Sequence, residues 1–299
     1  MIVVLGGAGL LGQELTRAAA RRGVVLKAMP KAVLDITDPR SVNAALDQLK
    51  PTVVVNAAAY TKVDAAESDP HNAARHNAYG PRVIASACRA AGTPLIHVST
   101  DYVFDGAKAG PYVETDPVCP LSVYGKTKAS GEVAVRDEAP HHIILRTAWL
   151  FSAFGCNFLT TIVKLAQTRD DLRIVADRQG CPTSAQDVAD AILRIVPRLN
   201  EAEAPWGTYH FAGSGNTSWH GFASHIVAVQ APLTKRMPSV TAISSSEFPT
   251  AAVRPLHSLL DSSRFAAAFG FRGRGWQEAA AETTRSFVSR LLAGEDHAA

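Results

Sequence analysis

The stretch Ile2-Val3-Val4-Leu5-Gly6-Gly7-Ala8-Gly9-Leu10-Leu11-Gly12 decides the fold. Four consecutive apolar residues read as a strand buried on both faces. The glycines after them are spaced G-x-x-G-x-x-G, and residues 13–21 beyond are rich in the helix formers Ala, Leu and Arg. A strand that turns through glycines into a helix suits a dinucleotide. Glycine permits the tight turn and lets backbone N–H groups approach a pyrophosphate, and the helix amino end offers partial positive charge. Gly6, Gly9 and Gly12 are candidate cofactor-binding residues on this ground.

Working outward, apolar runs at 24–28, 53–57, 95–98 and 143–145 alternate with helical patterns. One helix starts at the cap Asp38 with Pro39 in its first position and carries Val42, Ala45, Leu46 and Leu49 as a stripe. Another runs over about 78–91 and stops at Gly92. Strands apolar on both faces and alternating with helices predict an α/β fold, a doubly wound parallel Rossmann-type sheet. After Trp149 the pattern loosens into helices near 158–167, 185–195, 220–229 and 277–292 and strands at 172–176 and 208–211. The expected organisation is a dinucleotide-binding domain over 1–148 and a smaller α/β substrate-binding lobe over 149–299. Within the lobe, about 184–212 return to the main sheet.

Composition sets outer limits. In 299 residues, 47% are hydrophobic, 19% charged and 7% aromatic, an ordinary globular mixture that excludes disorder, collagen and coiled coil. A net charge of +3 with no basic run argues against nucleic acid. No apolar run approaches the ~18 residues of a membrane span, and the first residues lack a signal peptide's basic flank, so a cytoplasmic protein is expected. Cys88, Cys119, Cys156 and Cys181 are widely spaced and read as buried free thiols. The histidines show no ligand spacing, and no metal is expected.

The chemistry is carried by Tyr124 and Lys128, four apart and so on one face of a helix. The ammonium is expected to draw the phenol's pKa down, while reduction of a carbonyl requires the phenol to start protonated. In Ser99-Thr100-Asp101, just past the fourth strand, Thr100 is the candidate hydroxyl donor to that carbonyl and Ser99 the alternative. The second strand ends in Lys27-Ala28-Met29-Pro30-Lys31, without the acid that usually meets an NAD ribose. This favours NADPH, with NADH the alternative. Asp64 and Glu67 read as acids favoured at a helix start, and His141-His142 as a solvated turn.

These motifs, with Asn56-Ala57-Ala58-Ala59-Tyr60-Thr61, Arg146-Thr147-Ala148-Trp149-Leu150-Phe151, Asp177-Arg178-Gln179-Gly180-Cys181-Pro182-Thr183 and Arg254-Pro255, span nearly the whole chain. Together they resemble the extended short-chain dehydrogenase/reductase family. The resemblance implies reduction of the 4-keto group of a dTDP-sugar, dTDP-4-dehydro-6-deoxy-L-mannose. It implies that Gly9, Leu10 and Leu11 meet the pyrophosphate, that Asp35 and Ile36 bracket the adenine, and that Ala59, Tyr60 and Thr61 line the cofactor. Tyr124 and Lys128 would contact the nicotinamide ribose, and Thr100, Asp101 and Trp149 would hold the sugar. A homodimer is expected on the resemblance alone. Some members hold magnesium through glutamates at a dimer contact. Gln186 replaces one such glutamate, so the metal is not carried over, and Glu14 is expected to be an ordinary exposed residue. The alternatives are a nucleotide-sugar epimerase or 4,6-dehydratase, and a non-catalytic subunit like the regulatory partner of methionine adenosyltransferase. A dehydratase would carry Asp-Glu after the threonine, where Asp101-Tyr102 stand here.

Overall fold

A computed structural model describes residues 1–199 and 201–294. Its centre is a six-stranded sheet in which β1 (Ile2–Leu5), β2 (Leu26–Met29), β3 (Val53–Asn56), β4 (Leu95–Thr100) and β5 (His142–Thr147) are joined by a strand at Gly207–His210. Every pairing in it is parallel. From β1 the chain moves outward to β2, then returns to β3 on the other side of β1. This reversal makes a topological switch point, where the helices flanking β1 and β3 lie on opposite faces and leave a crevice at the strands' carboxyl ends.

Both faces are covered. The helix α1 (Leu10–Arg21) and the helix Ala185–Arg198 bury Leu15, Ala18, Val188 and Ile192 against Val4 and Val55 on one side. On the other, α2 (Pro39–Leu49), Gly80–Ala90 and Val123–Glu138 pack Val42, Leu46, Ile84 and Val135 against Val3, Leu5 and Val54. The Asp38 side chain caps α2 by accepting from the Arg40 N–H at 3.0 Å, with Pro39 in the first turn as expected. β2 begins at Leu26, not at Val24. The reason is local: the Val24 N–H is spent on the Ala19 carbonyl as α1 ends, so sheet pairing starts only where Ile2 donates to the Val25 carbonyl.

The helices Phe158–Thr168, Trp219–Thr234 and Trp276–Leu292 enclose a separate core of Phe151, Phe222 and Phe287. Each such ring contributes about 1.5–3 kcal/mol on full burial. The strand found at Asp171–Val175 pairs with Ser239–Ile243 in this part of the molecule. The segment 185–210 supplies the Ala185–Arg198 helix and the sheet-edge strand beside β5. No helix among the described residues is long and apolar enough to cross a membrane.

Three expectations need correction, and a fourth gains tertiary partners. Glu14 is buried and accepts a hydrogen bond from the Ser152 hydroxyl at 2.6 Å, because α1 presents this face to the second core. Only Cys88 and Cys181 are buried; Cys119 sits in a proline-flanked loop and Cys156 in a turn, both exposed. His142 is the first residue of β5, its ring against the Ala139 carbonyl, while exposed His141 packs on Trp206. Asp64 stands in the first turn of the helix Val63–Ser68 as expected, and it and Glu67 also act as tethers. Asp64 takes two guanidinium bonds from Arg254, and Glu67 accepts from the Val123 N–H at 2.8 Å, fixing the start of the helix that carries Tyr124.

Candidate active site

A cavity of about 750 Å³ opens at the carboxyl ends of β1, β3, β4 and β5. Its size lies in the range of small-molecule sites. Gly6, Gly9, Leu10, Leu11, Asp35, Ile36, Ala59, Thr61, Thr100, Asp101, Tyr124, Lys128 and Trp149 all line it, as does the alternative donor Ser99. Two candidates do not. Gly12 is a packing residue, where a Cβ would stand 2.5 Å from the Gly6 carbonyl oxygen. Tyr60 acts through its backbone, its N–H donating to Asn77 Oδ1 at 2.8 Å and its carbonyl accepting from Asn77 Nδ2 at 3.0 Å.

The glycine end suits an anion. Gly6 turns with φ +84°, which a side chain would strain, and brings its backbone against Ala58. α1 starts at Gly9 with no side-chain cap and no acid in its first turn. Its first N–H groups therefore remain available to phosphate oxygens. Leu34 and Ile36 give the adjoining wall an apolar surface. The Thr147 hydroxyl at the end of β5 is buried on the cavity wall and has no hydrogen-bond partner among the described residues. These features fit a dinucleotide whose phosphates rest on α1.

The reacting end is built by β4 and the helix Val123–Glu138. Ser122 caps that helix, accepting from the Gly125 N–H at 3.1 Å. Gly125 has no room for a side chain, since a Cβ would lie 2.3 Å from the Tyr102 carbonyl oxygen. That close approach sets Tyr124 against the end of β4, its ring edge-on to Tyr102 at 5.8 Å. Thr100 donates to Asp101 Oδ1 at 3.0 Å and accepts from the Tyr102 N–H at 3.2 Å, and it neighbours the Tyr124 phenol.

Burial pushes the Tyr124 phenol up to about 12, against the smaller downward pull of Thr100. The expected lowering by Lys128 does not occur. Lys128 instead donates to the Val98 carbonyl at 2.7 Å, and burial brings its own pKa down to about 8. A phenol raised in this way stays protonated at neutral pH, which an acid catalyst of reduction requires. Burial also lifts Asp101 to about 7, partly offset by the Ser258 and Thr100 hydroxyls.

Several residues escaped the sequence reading. Glu132, one turn beyond Lys128, is fully buried. It accepts from Arg146 Nε at 2.9 Å and Nη2 at 2.7 Å and from the Ser99 hydroxyl at 2.6 Å. Burial would raise its pKa, but the Arg146 guanidinium, with the Ser99 hydroxyl and Arg136, more than offsets this and holds it low. The pair ties the helix bearing Tyr124 to β4 and β5, and its i, i+4 spacing from Lys128 was the available signal. Opposite, Trp149 takes the strained φ of +45°, stacks on Trp219 at 3.5 Å, and lies over Gly180, where a Cβ would meet the indole. Asn157, Phe158 and Arg254 complete this wall. Trp219 and Arg254 come from segments distant in sequence from Trp149, and no local spacing connects them.

The comparisons agree with this geometry. A family model described as the RmlD substrate binding domain matches residues 1–289. A dTDP-4-dehydrorhamnose reductase of Sinorhizobium fredii is 40% identical over 99% of both chains. The crystal structure of a dTDP-4-dehydrorhamnose reductase from Clostridium acetobutylicum superposes with a TM-score of 0.88 at 36% identity, covering 95% of this chain and 98% of that one. One from Bacillus anthracis in complex with NADP also gives 0.88, at 30% identity over 95% and 98%. With a match running from the glycine turn to the last helix, this chain belongs to the RmlD substrate binding domain family.

Proposed function

We propose that the protein reduces the 4-keto group of dTDP-4-dehydro-6-deoxy-L-mannose with NADPH, giving dTDP-L-rhamnose. The observation that carries this reading is the convergence of Thr100, Tyr124 and Lys128 on the cavity that the glycine turn also lines. The relatives named for this reaction, and the NADP complex of one of them, supply the substrate and the cofactor.

The cofactor, held by its phosphates at α1, would supply the hydride from its reduced nicotinamide. The protein's own contribution is to hold the ketone and deliver a proton. Tyr124, protonated at neutral pH, gives its phenolic proton to the oxygen as negative charge builds there. Thr100 turns its hydroxyl from Asp101 to the same oxygen and spreads that charge. Lys128, fixed by the Val98 carbonyl, would hold the nicotinamide ribose beside Tyr124. Trp149, stacked on Trp219, offers a flat face to the sugar, and Asp101 accepts from its hydroxyls. Arg254, held by Asp64, lines the cavity and would meet the sugar's diphosphate. Residues 1–148 would serve the cofactor, and 149–299 mainly the substrate.

A cytoplasmic location and a homodimer accompany this reading and rest on the family resemblance. The test is NADPH oxidation by purified protein with dTDP-, UDP- and GDP-linked 4-keto-6-deoxy sugars. Turnover should be confined to the dTDP substrate, with stoichiometric loss of NADPH. Activity restricted to a UDP or GDP sugar would overturn the substrate. Turnover without net loss of NADPH would indicate an epimerase, and no turnover with any sugar a regulatory subunit.

A further inference from the structure

Among the described residues, the non-glycine positions with positive φ are Lys50, Trp149 and Lys235. Lys50 and Lys235 close helices, where this conformation is routine. Trp149 closes none. It stands between β5 and the short strand Leu150–Phe151 at φ +45°, a conformation unfavourable for a bulky side chain. The surrounding fold must hold it there.

The principal holding group is Trp219. Its ring lies parallel to that of Trp149, with 6° between the planes and 3.5 Å between the centroids, and Phe158 packs on it at 4.5 Å. Trp219 opens the helix Trp219–Thr234, whose cap Ser218 accepts from the Gly221 N–H at 3.0 Å. Just before it, Thr217–Ser218 pair antiparallel with Gln179–Gly180. One short ladder therefore brings up both groups that confine the Trp149 indole. Trp219 stacks on it, and Gly180 leaves it room where a Cβ would run into the ring. The Trp149 carbonyl is fixed as well, accepting from the Thr183 N–H at 3.2 Å.

The same ladder is joined to the segment that follows Arg254. The Gln179 N–H donates to the Leu256 carbonyl at 2.7 Å, and the Gln179 carbonyl accepts from the Ser258 N–H at 2.9 Å. Trp149, Trp219 and Arg254 all line the cavity, so its aromatic wall and its guanidinium share one support. Trp219 itself is only half-buried, and its replacement leaves the enclosed cores intact.

We propose that Trp219 is a positioning residue for sugar recognition: it holds Trp149 in the strained conformation in which that indole meets the hexose. The proposal rests on the reading of the cavity as a nucleotide-sugar site and adds how its sugar-facing wall is kept in place. Without Trp219 the Trp149 backbone relaxes to an ordinary φ, the binding-competent fraction falls, and affinity for the sugar falls with it.

The test is equilibrium binding of dTDP-L-rhamnose and of dTDP, by calorimetry with NADP⁺ present. The proteins are the parent, Trp219→Leu, Trp219→Phe, Gly180→Ala, Trp149→Leu and the double variant Trp149→Leu/Trp219→Leu. An aromatic stack is worth roughly two- to tenfold in an equilibrium constant, and release of the backbone strain adds to it. Trp219→Leu should therefore weaken dTDP-L-rhamnose about tenfold and leave dTDP and NADP⁺ within about twofold. Trp219→Phe, which keeps a flat ring, should recover most of the loss. Gly180→Ala, whose Cβ displaces the Trp149 indole, should weaken dTDP-L-rhamnose alone. In the Trp149→Leu background, Trp219→Leu should cost less than about twofold more, because it acts only through Trp149. Circular dichroism reads the stack without ligand: the parent should show exciton coupling between the two indoles, and Trp219→Phe should lose it. Equal loss for dTDP and dTDP-L-rhamnose, no loss in Trp219→Leu, or a fully additive loss in the double variant would overturn the proposal while leaving the nucleotide-sugar site standing. A parent that binds neither ligand would overturn both.

Discussion

Replacing Arg146 by Met strips Glu132 of its strongest partner in a place water does not reach. Both side chains are buried, Glu132 at 0% and Arg146 at 2% exposure. The loss removes bonds of 2.9 and 2.7 Å. The carboxylate keeps the Ser99 hydroxyl and a longer contact of 3.3 Å with half-exposed Arg136. Breaking a buried pair from one side costs about 3–5 kcal/mol, because a charge stays behind without compensation. In a chain of this size that lowers the melting temperature by on the order of 10 °C. Adding Glu132→Gln removes the stranded charge, so the double variant should melt above Arg146→Met alone. The sign of the pH effect follows as well. In the parent the carboxylate's pKa is held low, so its contribution is present at neutral pH and lost only as pH falls through that low value. In Arg146→Met burial is opposed only by the Ser99 hydroxyl and half-exposed Arg136, the carboxyl's pKa rises, and the deficit against the parent should shrink as pH falls from 8 toward 5. Thermal melts of the parent, both single variants and the double variant over that range decide it. A double variant that melts at the sum of the two single losses, or a deficit that does not change with pH, would refute the reasoning.

Two further outcomes follow from the site. Burial lifts Asp101 to about 7, so the folded form holds a proton that the unfolded chain gives up near pH 4, and stability is lost as pH rises between those values. Asp101→Asn escapes that loss, by at most about 4 kcal/mol. Its melting temperature should gain on the parent's from pH 4 to 7.5 while turnover falls; a constant difference would count against the raised pKa. Gly125→Ala puts a Cβ 2.3 Å from the Tyr102 carbonyl oxygen. It should cost about 1–3 kcal/mol in denaturant melts and lower kcat more than it raises KM for NADPH, because Tyr124 rides on the displaced turn.

How much was legible before any coordinates depended on whether a feature is local. The strand–glycine–helix start, the capped α2 and the apolar strands are local patterns, and the structure keeps them within a few residues. Tyr124 and Lys128 share a helix face for the same reason, and both reach the cavity. Features that depend on tertiary contact were misread. Glu14 looked like an ordinary exposed acid because Ser152 lies 138 positions away, and while Asp64 does open a helix, its tether to Arg254 and that of Glu67 to Val123 span 190 and 56 positions. The direction of the Tyr124 shift was missed because charge proximity was visible in the spacing and desolvation was not. The Trp149–Trp219 wall is assembled from residues 70 positions apart whose neighbours carry no common pattern.

The central claim is that the Tyr124 phenol protonates the reduced carbonyl beside a bound nicotinamide. Its most direct test is single-turnover reduction of the dTDP-4-keto sugar by Tyr124→Phe with saturating NADPH. The account predicts a hydride-transfer rate lower by about 10²–10⁴, with NADP⁺ affinity close to that of the parent. A rate within a few-fold of the parent's would contradict it.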